Sequence, residues 1–365
     1  MTRLRIRDLG VPIGDLPPGE NNAITDVAGV LVGHRTLISG EGSLQAGKGP
    51  VRTGVTVVLP HNGNLFLRKV RAGLHVINGF GKATGLEEIR ELGVIESPIA
   101  LTGTLNVGIV ADALVQHCIR GNPDMGFTTH CVNVVVGETN DGFLNDIHGR
   151  HVRDEHVFAA LASAASGRVA EGSVGAGTGA GCFGWKGGMG TASRVLPAHT
   201  GGFSLGVLVQ SNLIGRPEDL IIKGVSVGKQ FLPPNILRQP GGSIIIIIAT
   251  DAPISSLQIN RLCARAQVGL VRTGNRLDHG SGDFAVGFST ASPVEHRPAS
   301  LTAAQAVVTN EAVVMQALFQ AVAESVEEAV LNSMFCSETM SGRDGSVRYG
   351  LPAEKVAALV KEQGG

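Results

Sequence analysis

The chain has 365 residues, 43% of them hydrophobic, and a formal charge of −1 at pH 7. This length suits one large domain or two ordinary ones, with ample material for a core. Without a long basic run, the sequence excludes electrostatic binding to nucleic acid or to an anionic membrane surface, and no apolar run approaches the roughly 20 residues of a membrane helix.

Glycine and cysteine are used in an informative way. The 51 glycines are about twice the average frequency and have no collagen period, which indicates tight turns and close packing of layers. The five cysteines are odd in number and lack CxxC spacing, so we expect buried free thiols rather than disulfides or zinc ligands. Together with an N-terminus that has no apolar signal region, this favours a cytoplasmic protein.

Hydrophobic patterning predicts strands and helices mixed along the chain. Because the strands are apolar enough to need helices on their outer faces, we expect a layered α/β sandwich. A loop at residues 230–242 lacks periodicity and is the best candidate for an exposed, cleavable connection. In chain order the predicted elements are a strand at 55–59, helices at 83–92 and 106–119, a strand at 132–136, a helix at 154–165, strands at 203–210, 221–227 and 244–248, a helix from Ser255 or Ser256 to about 268, a strand at 284–289 and a long helix from Asn310.

The tripeptide Gly241-Gly242-Ser243 precedes five consecutive isoleucines at 244–248. The isoleucine run is typical of a strand buried on both faces, so Ser243 lies where a rigid strand begins. If the chain were cut after Gly242, Ser243 would carry a hydroxyl and a free α-amine, a known catalytic arrangement. The local sequence also fits an ordinary Gly-Gly turn before a core strand. The frequency of glycine in turns favours that interpretation when these residues are considered alone.

Three other motifs match catalytic or cofactor patterns poorly. Residues 179–184 fit GxGxxG but are followed by a glycine-rich stretch that cannot begin a helix. Ser204 and Ser226 lie in GxSxG matches, but neither follows a strand and precedes a helix as a hydrolase elbow requires, so we interpret both as strand serines. The nearby histidines form no HExxH motif and are interpreted as surface or supporting residues rather than as a metal site: His148, His151 and His156.

Polar side chains also follow predicted strands, where sites in α/β folds tend to lie. Glu138 and Asn140 follow the strand that ends at residue 136, and Asn212 ends another strand, where its amide could serve an oxyanion. Ser281 and Asp283 lie just before a predicted strand, and by themselves they indicate a turn.

Taken together, seven segments in this order resemble the DmpA-type aminopeptidases, which include L-aminopeptidase/D-esterases and β-peptidyl aminopeptidases. The resemblance extends from Asp8 to about Asn332. The segments are 22–34, 106–108, 137–139, 208–212, 242–243, 249–253 and 281–283.

The resemblance implies a four-layer α-β-β-α sandwich, similar to but topologically distinct from the N-terminal-nucleophile hydrolases. It implies one domain, residues 1–365, that cleaves itself after Gly242 into an α chain (1–242) and a β chain (243–365). It further implies a homo-oligomer of these αβ units, and no cofactor or metal is expected.

Carried over to this sequence, the resemblance makes Ser243 the nucleophile, with Ser281 as a relay and Asp283 supporting it. Asn212 would help form the oxyanion hole, and Glu138 would lie near the free amine of the substrate. Asn140 stands where some members have an aromatic residue, so it bears on the shape of the substrate pocket. Either the α-amine of Ser243 or the Ser281–Asp283 pair could be the base.

We therefore expect a self-processing serine aminopeptidase. It would release N-terminal residues from short peptides, amino acid amides or esters through an acyl-enzyme on Ser243. Two alternatives remain open at this point. One is an acyltransferase of the ornithine acetyltransferase kind, and the other is a non-catalytic oligomeric scaffold.

Overall fold

The computed structural model describes residues 4–213, 215–235 and 242–364. Its strands are β1 (Leu31–Ser39), β2 (Val51–Leu59), β3 (Arg68–Gly79), β4 (Val94–Ile95), β5 (Ile99–Gly103), β6 (Val135–Thr139), β7 (Gly181–Cys182), β8 (Trp185–Lys186), β9 (Gly188–Val195), β10 (Ser204–Asn212), β11 (Gly242–Thr250), β12 (Ser281–Glu295), β13 (Met340–Ser341) and β14 (Val347–Arg348). Its helices are α1 (Leu86–Leu92), α2 (Val107–Gly121), α3 (Asp154–Ala162), α4 (Ser256–Cys263), α5 (Ala266–Arg272), α6 (Glu311–Phe335) and α7 (Ala353–Gln363).

Two larger sheets carry the architecture. The first has four strands in the order β1-β2-β5-β6, and the second has six in the order β4-β3-β12-β11-β10-β9. The pairs β5–β6 and β11–β12 are parallel, whereas the other pairs within these sheets are antiparallel. Strand β11, which carries the isoleucine run, therefore lies in the middle of the six-stranded sheet.

The isoleucines of β11 fill two different cores because successive strand residues point to opposite faces. Ile245 and Ile247 pack against the four-stranded sheet, for example against Leu101. Ile244 and Ile246 belong to the core on the other face, which includes the apolar side of α6. All five isoleucines are essentially inaccessible to solvent, as a strand covered on both faces requires.

Helices cover the outer face of each sheet. Helices α2 and α3 pack on the four-stranded sheet, where Leu114 and Val157 share a core with Val57. Helices α4, α5 and α6 pack on the six-stranded sheet, with Leu262, Leu270 and other apolar residues in its outer core. The order of layers is thus α-β-β-α, and the predicted four-layer sandwich is confirmed.

Several predicted elements differ in extent, and one is wrong. Residues 221–227 form no strand, since Lys223 and Gly224 have φ of 48° and 78° and make a turn closed by the pairing of Ile222 with Val225. The helix predicted from about 255 to 268 is interrupted between α4 and α5.

Other boundaries moved by a few residues. The predicted helix at 83–92 begins only at Leu86, because Gly85 has a φ of 76°. The helix at 154–165 ends at Ala162. The strand predicted at 132–136 begins at Val135 and continues to Thr139. Of the cysteines, Cys118, Cys182 and Cys263 are buried as expected, whereas Cys131 is exposed and Cys336 is half-buried; all five are free.

Helix α6 is held to the six-stranded sheet by close backbone packing and by buried charges. A Cβ on Gly190 of β9 would lie 1.9 Å from the Ala329 carbonyl oxygen, so only glycine permits this approach. Beside it, the fully buried Arg194 of β9 contacts Glu324 Oε2 at 3.0 Å and Glu328 Oε2 at 2.7 Å. No helix within the described ranges is long and apolar enough to cross a membrane.

Candidate active site

Ser243 is the second residue of β11 and lies between two neighbouring strands. It stands opposite Asn212 of β10 and opposite Gly282 of β12. Only 8% of Ser243 is exposed. Its hydroxyl donates to the Gly242 carbonyl oxygen at 2.5 Å and accepts from the Gly282 N–H at 3.3 Å. The nucleophile candidate thus contacts the carbonyl of its own preceding peptide bond. Part of the predicted exposed loop, residues 236–241, lies outside the described residues.

Ser281 and Asp283 form a hydrogen-bonded pair beside the backbone of β11. The Ser281 hydroxyl donates to Asp283 Oδ1 at 2.6 Å, and the Ile244 N–H donates to the same oxygen at 3.1 Å. In this structure the Ser281 hydroxyl therefore donates to Asp283 and not to Ser243. The prediction of a turn at 281–283 is wrong: these residues begin β12, because they pair in parallel with residues 242–244.

The Asp283 carboxyl group is fully buried. Burial raises its pKa to about 6, against the opposing effect of the hydrogen bonds from Ser281 and from the Ile244 N–H. Its Oδ2 atom has no hydrogen-bond partner among the described residues. A buried carboxylate with a free oxygen is costly to ionise, which marks Asp283 as a candidate functional group.

The side-chain amide of Asn212 is oriented by two backbone groups. Its Oδ1 accepts from the Gly181 N–H at 2.8 Å, and its Nδ2 donates to the Asn140 carbonyl oxygen at 3.0 Å. An amide nitrogen carries two hydrogens, so Nδ2 keeps one for an oxygen in the cavity beside Ser243. The Gly181 N–H therefore determines which atom of Asn212 acts as donor.

Glu138 lies within β6, not after the strand as the sequence suggested, and is 2% exposed. Its Oε1 accepts from the Lys82 N–H at 2.9 Å, and its Oε2 accepts from the Thr104 hydroxyl. Asn140 follows the strand and is exposed; its Oδ1 accepts from the Gly142 N–H at 2.9 Å.

Asp141 is a buried carboxyl group beside the site to which the sequence analysis assigned no role. It accepts from the Thr53 hydroxyl at 2.5 Å and from Asn145 Nδ2 at 3.1 Å. Burial raises its pKa to about 6, and the nearby Glu138 carboxylate adds to that shift. Asp141 thus ties the chain that follows β6 to the four-stranded sheet.

One cavity of about 460 Å³ brings most of the predicted residues together. The cavity is lined by five of them: Ser243, Gly242, Asn212, Glu138 and Asn140. Ser281 and Asp283 do not line it, and Asp283 contacts the Ile244 N–H of β11 instead. Its volume is that of a small-molecule site. The sequence reasoning missed its other principal lining residues, which come from separate elements and share no local motif: Phe80, Lys82, Thr104, Phe143, Ile147 and Arg343.

The remaining motifs stand outside this cavity. Residues 181–186 form the small β7–β8 hairpin, with Phe183 and Gly184 at positive φ, and not the start of a helix. Ser204 begins β10, as expected, but Ser226 lies in no strand. His151 Nε2 lies 3.0 Å from Asp146 Oδ2. In the part of the chain that the structure describes, no group of three or more His, Cys, Asp or Glu is placed to hold a metal ion.

A four-layer sandwich with a serine at the start of a central strand, beside an amide donor and a buried carboxylate, defines a hydrolase related to the N-terminal-nucleophile enzymes. A profile described as "Peptidase family S58" matches residues 22–348. The chain belongs to this family and is a serine aminopeptidase.

Two similar proteins have names that agree with this assignment, and a third shares the fold. The chain is 42% identical over 373 residues to beta-peptidyl aminopeptidase BapA of Sphingosinicella xenopeptidilytica, covering 98% of this chain and 91% of the relative. The l-aminopeptidase d-ala-esterase/amidase of Ochrobactrum anthropi, described as a prototype for the serine aminopeptidases and a new variant of the Ntn hydrolase fold, superposes with a TM-score of 0.88 at 37% identity over 99% of both chains. A protein from Pyrococcus horikoshii OT3 superposes with a TM-score of 0.93 at 47% identity, again over 99% of both chains.

Proposed function

We propose that the chain cleaves itself after Gly242 and that Ser243, as the new N-terminal residue, is the nucleophile of the aminopeptidase. The contact of the Ser243 hydroxyl with the Gly242 carbonyl oxygen, at 2.5 Å, carries this proposal. In the cut, Ser243 Oγ adds to the Gly242 carbonyl carbon, and the C–N bond breaks as the Ser243 nitrogen takes the proton. Water then hydrolyses the resulting ester and releases the Gly242 carboxylate.

The cut gives Ser243 a base of its own. An α-amine with a pKa of about 8 is partly neutral near pH 7 and can accept the hydroxyl proton. The Ser281–Asp283 pair lies against the backbone on both sides of Ser243 and would orient that amine or relay its proton. The acyl group of the substrate would then form an ester with Ser243 Oγ.

Asn212 Nδ2 would stabilise the oxyanion that develops when Ser243 attacks. Its orientation by Gly181 and Asn140 means that little reorganisation is needed in the reaction. A pre-oriented amide donor of this kind is worth about 3 kcal/mol, or roughly 100-fold or more in kcat.

Glu138 would bind the free ammonium group of the substrate. Both of its oxygens are oriented by neighbouring donors, from Lys82 and Thr104, and the group faces the same cavity as Ser243. Only the first residue of a peptide brings a positive charge to this point, so the pairing favours removal of N-terminal residues. We propose as substrates short peptides, amino acid amides and esters with a free N-terminus.

We also propose that the enzyme is a homo-oligomer of processed αβ units in the cytoplasm. The free cysteines suit a reducing compartment, and the exposed side chains of Leu301 and Val307 suit contact with another copy. Light scattering of the purified protein would test the assembly, since a monomer contradicts it. Fractionation of the cells that express it would test the compartment.

Intact-mass measurement tests self-cleavage and the nucleophile together. We expect two fragments, residues 1–242 and 243–365, from the wild type. Ser243→Ala should stay a single chain and lose hydrolysis of aminoacyl amides. Ser204→Ala is the matched control and should cleave normally, because Ser204 lies at the opposite end of β10 from Asn212. A wild type that is active as one full-length chain would contradict the mechanism, as would turnover by Ser243→Ala.

A further inference from the structure

The cavity carries charges of opposite sign, which the proposed mechanism uses only in part. Glu138 is nearly buried, while the Arg343 side chain is 32% exposed and lines the same cavity. The proposed function gives a role to the carboxylate but none to the guanidinium. The planar guanidinium of arginine can bind a carboxylate with two parallel hydrogen bonds.

The guanidinium of Arg343 is held in one orientation. Its Nε donates to the Gly142 carbonyl oxygen at 2.7 Å, and its Nη1 donates to Asp344 Oδ2 at 2.8 Å. Asp344 is itself fixed, because its Oδ1 accepts from the Leu44 N–H at 2.8 Å. Within the described ranges no hydrogen-bond partner occupies Nη2, so the fork keeps donors for a carboxylate, the group it matches best.

The end of β6 and the turn after it carry three groups of the site in chain order. Glu138 belongs to the proposed ammonium site, the Asn140 carbonyl orients Asn212, and the Gly142 carbonyl orients Arg343. Along the chain, the carbonyl that holds the guanidinium thus follows the carbonyl that orients the oxyanion donor. Glu138 and Gly142 are four residues apart, so their backbones are separated by at most about 14 Å. The side chains of Glu138 and Arg343 can bring the two charges closer together than that.

A dipeptide matches this order of groups. Its ammonium group would face Glu138, its scissile carbonyl would lie between Ser243 and Asn212, and its leaving residue would carry a carboxylate toward Arg343. A longer peptide, an amide or an ester presents no charge at that distance. Lys82 also lines the cavity, but it is not equivalent to Arg343. Its backbone N–H contacts Glu138, and its ammonium group lies over the Phe80 ring, 4.9 Å from the ring centroid.

We propose that Arg343 binds the C-terminal carboxylate of the substrate and that the preferred substrates are dipeptides with both termini free. This inference rests on the proposed function, because it assumes that Glu138 binds the ammonium group and Ser243 attacks. It adds a subsite that selects for the leaving residue.

The test compares a dipeptide with its C-terminal amide. The substrates are alanyl-alanine, β-alanyl-alanine and the C-terminal amide of each. For whichever dipeptide the wild type hydrolyses faster, kcat/KM should be about tenfold or more higher for the free acid than for its amide. Added NaCl should reduce this difference. Arg343→Gln should remove the preference, chiefly by raising KM for the acid, while hydrolysis of the amide stays within about twofold. Arg343→Lys should keep part of the preference, because lysine retains the charge but not the planar fork.

Arg297→Gln is the matched control, because Arg297 pairs with Asp124 at 2.7 Å and does not line the cavity; this variant should keep the preference for the acid. Equal wild-type kcat/KM values for acid and amide would overturn the proposal, as would an equal loss on both substrates in Arg343→Gln when intact mass shows normal cleavage. If Arg343→Gln fails to fold, the salt dependence of the wild type and the Arg343→Lys variant still decide the question. Failure of the proposed function looks different, since no variant and no substrate would then show hydrolysis that depends on Ser243.

Discussion

At the scale of single residues, Asp283 combines a stability penalty with a proposed catalytic role. The pKa of its buried carboxyl rises from 3.8 to about 6, so the folded protein binds this proton more tightly than the unfolded chain does. The stability that this proton contributes is complete below about pH 4 and is lost as the pH rises through about 6. A shift of about two pKa units corresponds to about 3 kcal/mol.

We expect Asp283→Asn to be more stable than the wild type at pH 8, because it removes the buried charge, and to be no more stable at pH 4. Its kcat/KM for an aminoacyl amide should fall about 100-fold or more, since the pair with Ser281 loses its carboxylate. Thermal unfolding between pH 4 and 8, with hydrolysis assays on the same samples, checks both effects. Asp112→Asn, at an exposed position on α2, should change neither; a stability difference for Asp283→Asn that does not depend on pH would contradict the argument.

At the scale of elements, the parallel pair β11–β12 builds the site. The pairing places Gly282 beside Ser243 and against residues 79–82, which carry the Lys82 N–H that orients Glu138. A Cβ on Gly282 would lie 2.7 Å from Gly81 Cα and 3.4 Å from Ser243 Oγ. The approach to Gly81 is a backbone contact that is too short, so one of the two segments must move, whereas 3.4 Å from Ser243 Oγ is an ordinary contact.

We expect Gly282→Ala to lower stability by about 1–3 kcal/mol through overpacking, to slow self-cleavage and to reduce kcat/KM at least tenfold. Gly108→Ala is the control, because a Cβ on this α2 residue meets no atom within 4 Å and alanine favours a helix by about 1 kcal/mol over glycine. Denaturant unfolding and the fraction of cleaved chain over time provide the measurements. Normal cleavage and activity in Gly282→Ala would show that the close packing at Gly81 is not required.

At the scale of the whole molecule, buried charges join three distant parts of the chain. Arg194 of β9 pairs with Glu324 and Glu328 of α6, and Arg7 from the N-terminal segment pairs with Glu328 at 2.7 Å. The Arg194 guanidinium also donates to the Ile13 carbonyl oxygen at 2.6 Å. The network thus attaches both the N-terminal segment and the longest helix to the edge of the six-stranded sheet.

Arg194→Met should destabilise the fold by about 3–5 kcal/mol, because the buried Glu324 loses its guanidinium partner and Glu328 is left with Arg7. Arg272→Met is the control: its ion pair with Glu327 is 3.6 Å long and the arginine side chain is 47% exposed, so we expect a change below about 1 kcal/mol. Urea unfolding of both variants measures the difference. Similar small effects in the two variants would mean that the buried network contributes no more than a surface pair.

The sequence by itself determined the features that depend on local composition. The isoleucine run predicts a strand buried on both faces, and Gly242-Ser243 marks its beginning. The same reasoning wrongly predicted a strand at 221–227, where the residues around Lys223 and Gly224 are apolar but these two form a turn. Periodicity reports burial, but it does not report a positive φ at a single position.

Only the tertiary structure decided how the cavity is assembled. Residues 281–283 resemble a turn locally and become a strand because β11, 39 residues earlier in the chain, supplies the parallel partner. Lys82, Thr104 and Arg343 reach the cavity from separate segments and have no shared sequence signal. Side chains that meet across sheets are selected by packing and register, which arise from contacts distant in sequence, and local pattern carries no record of such contacts.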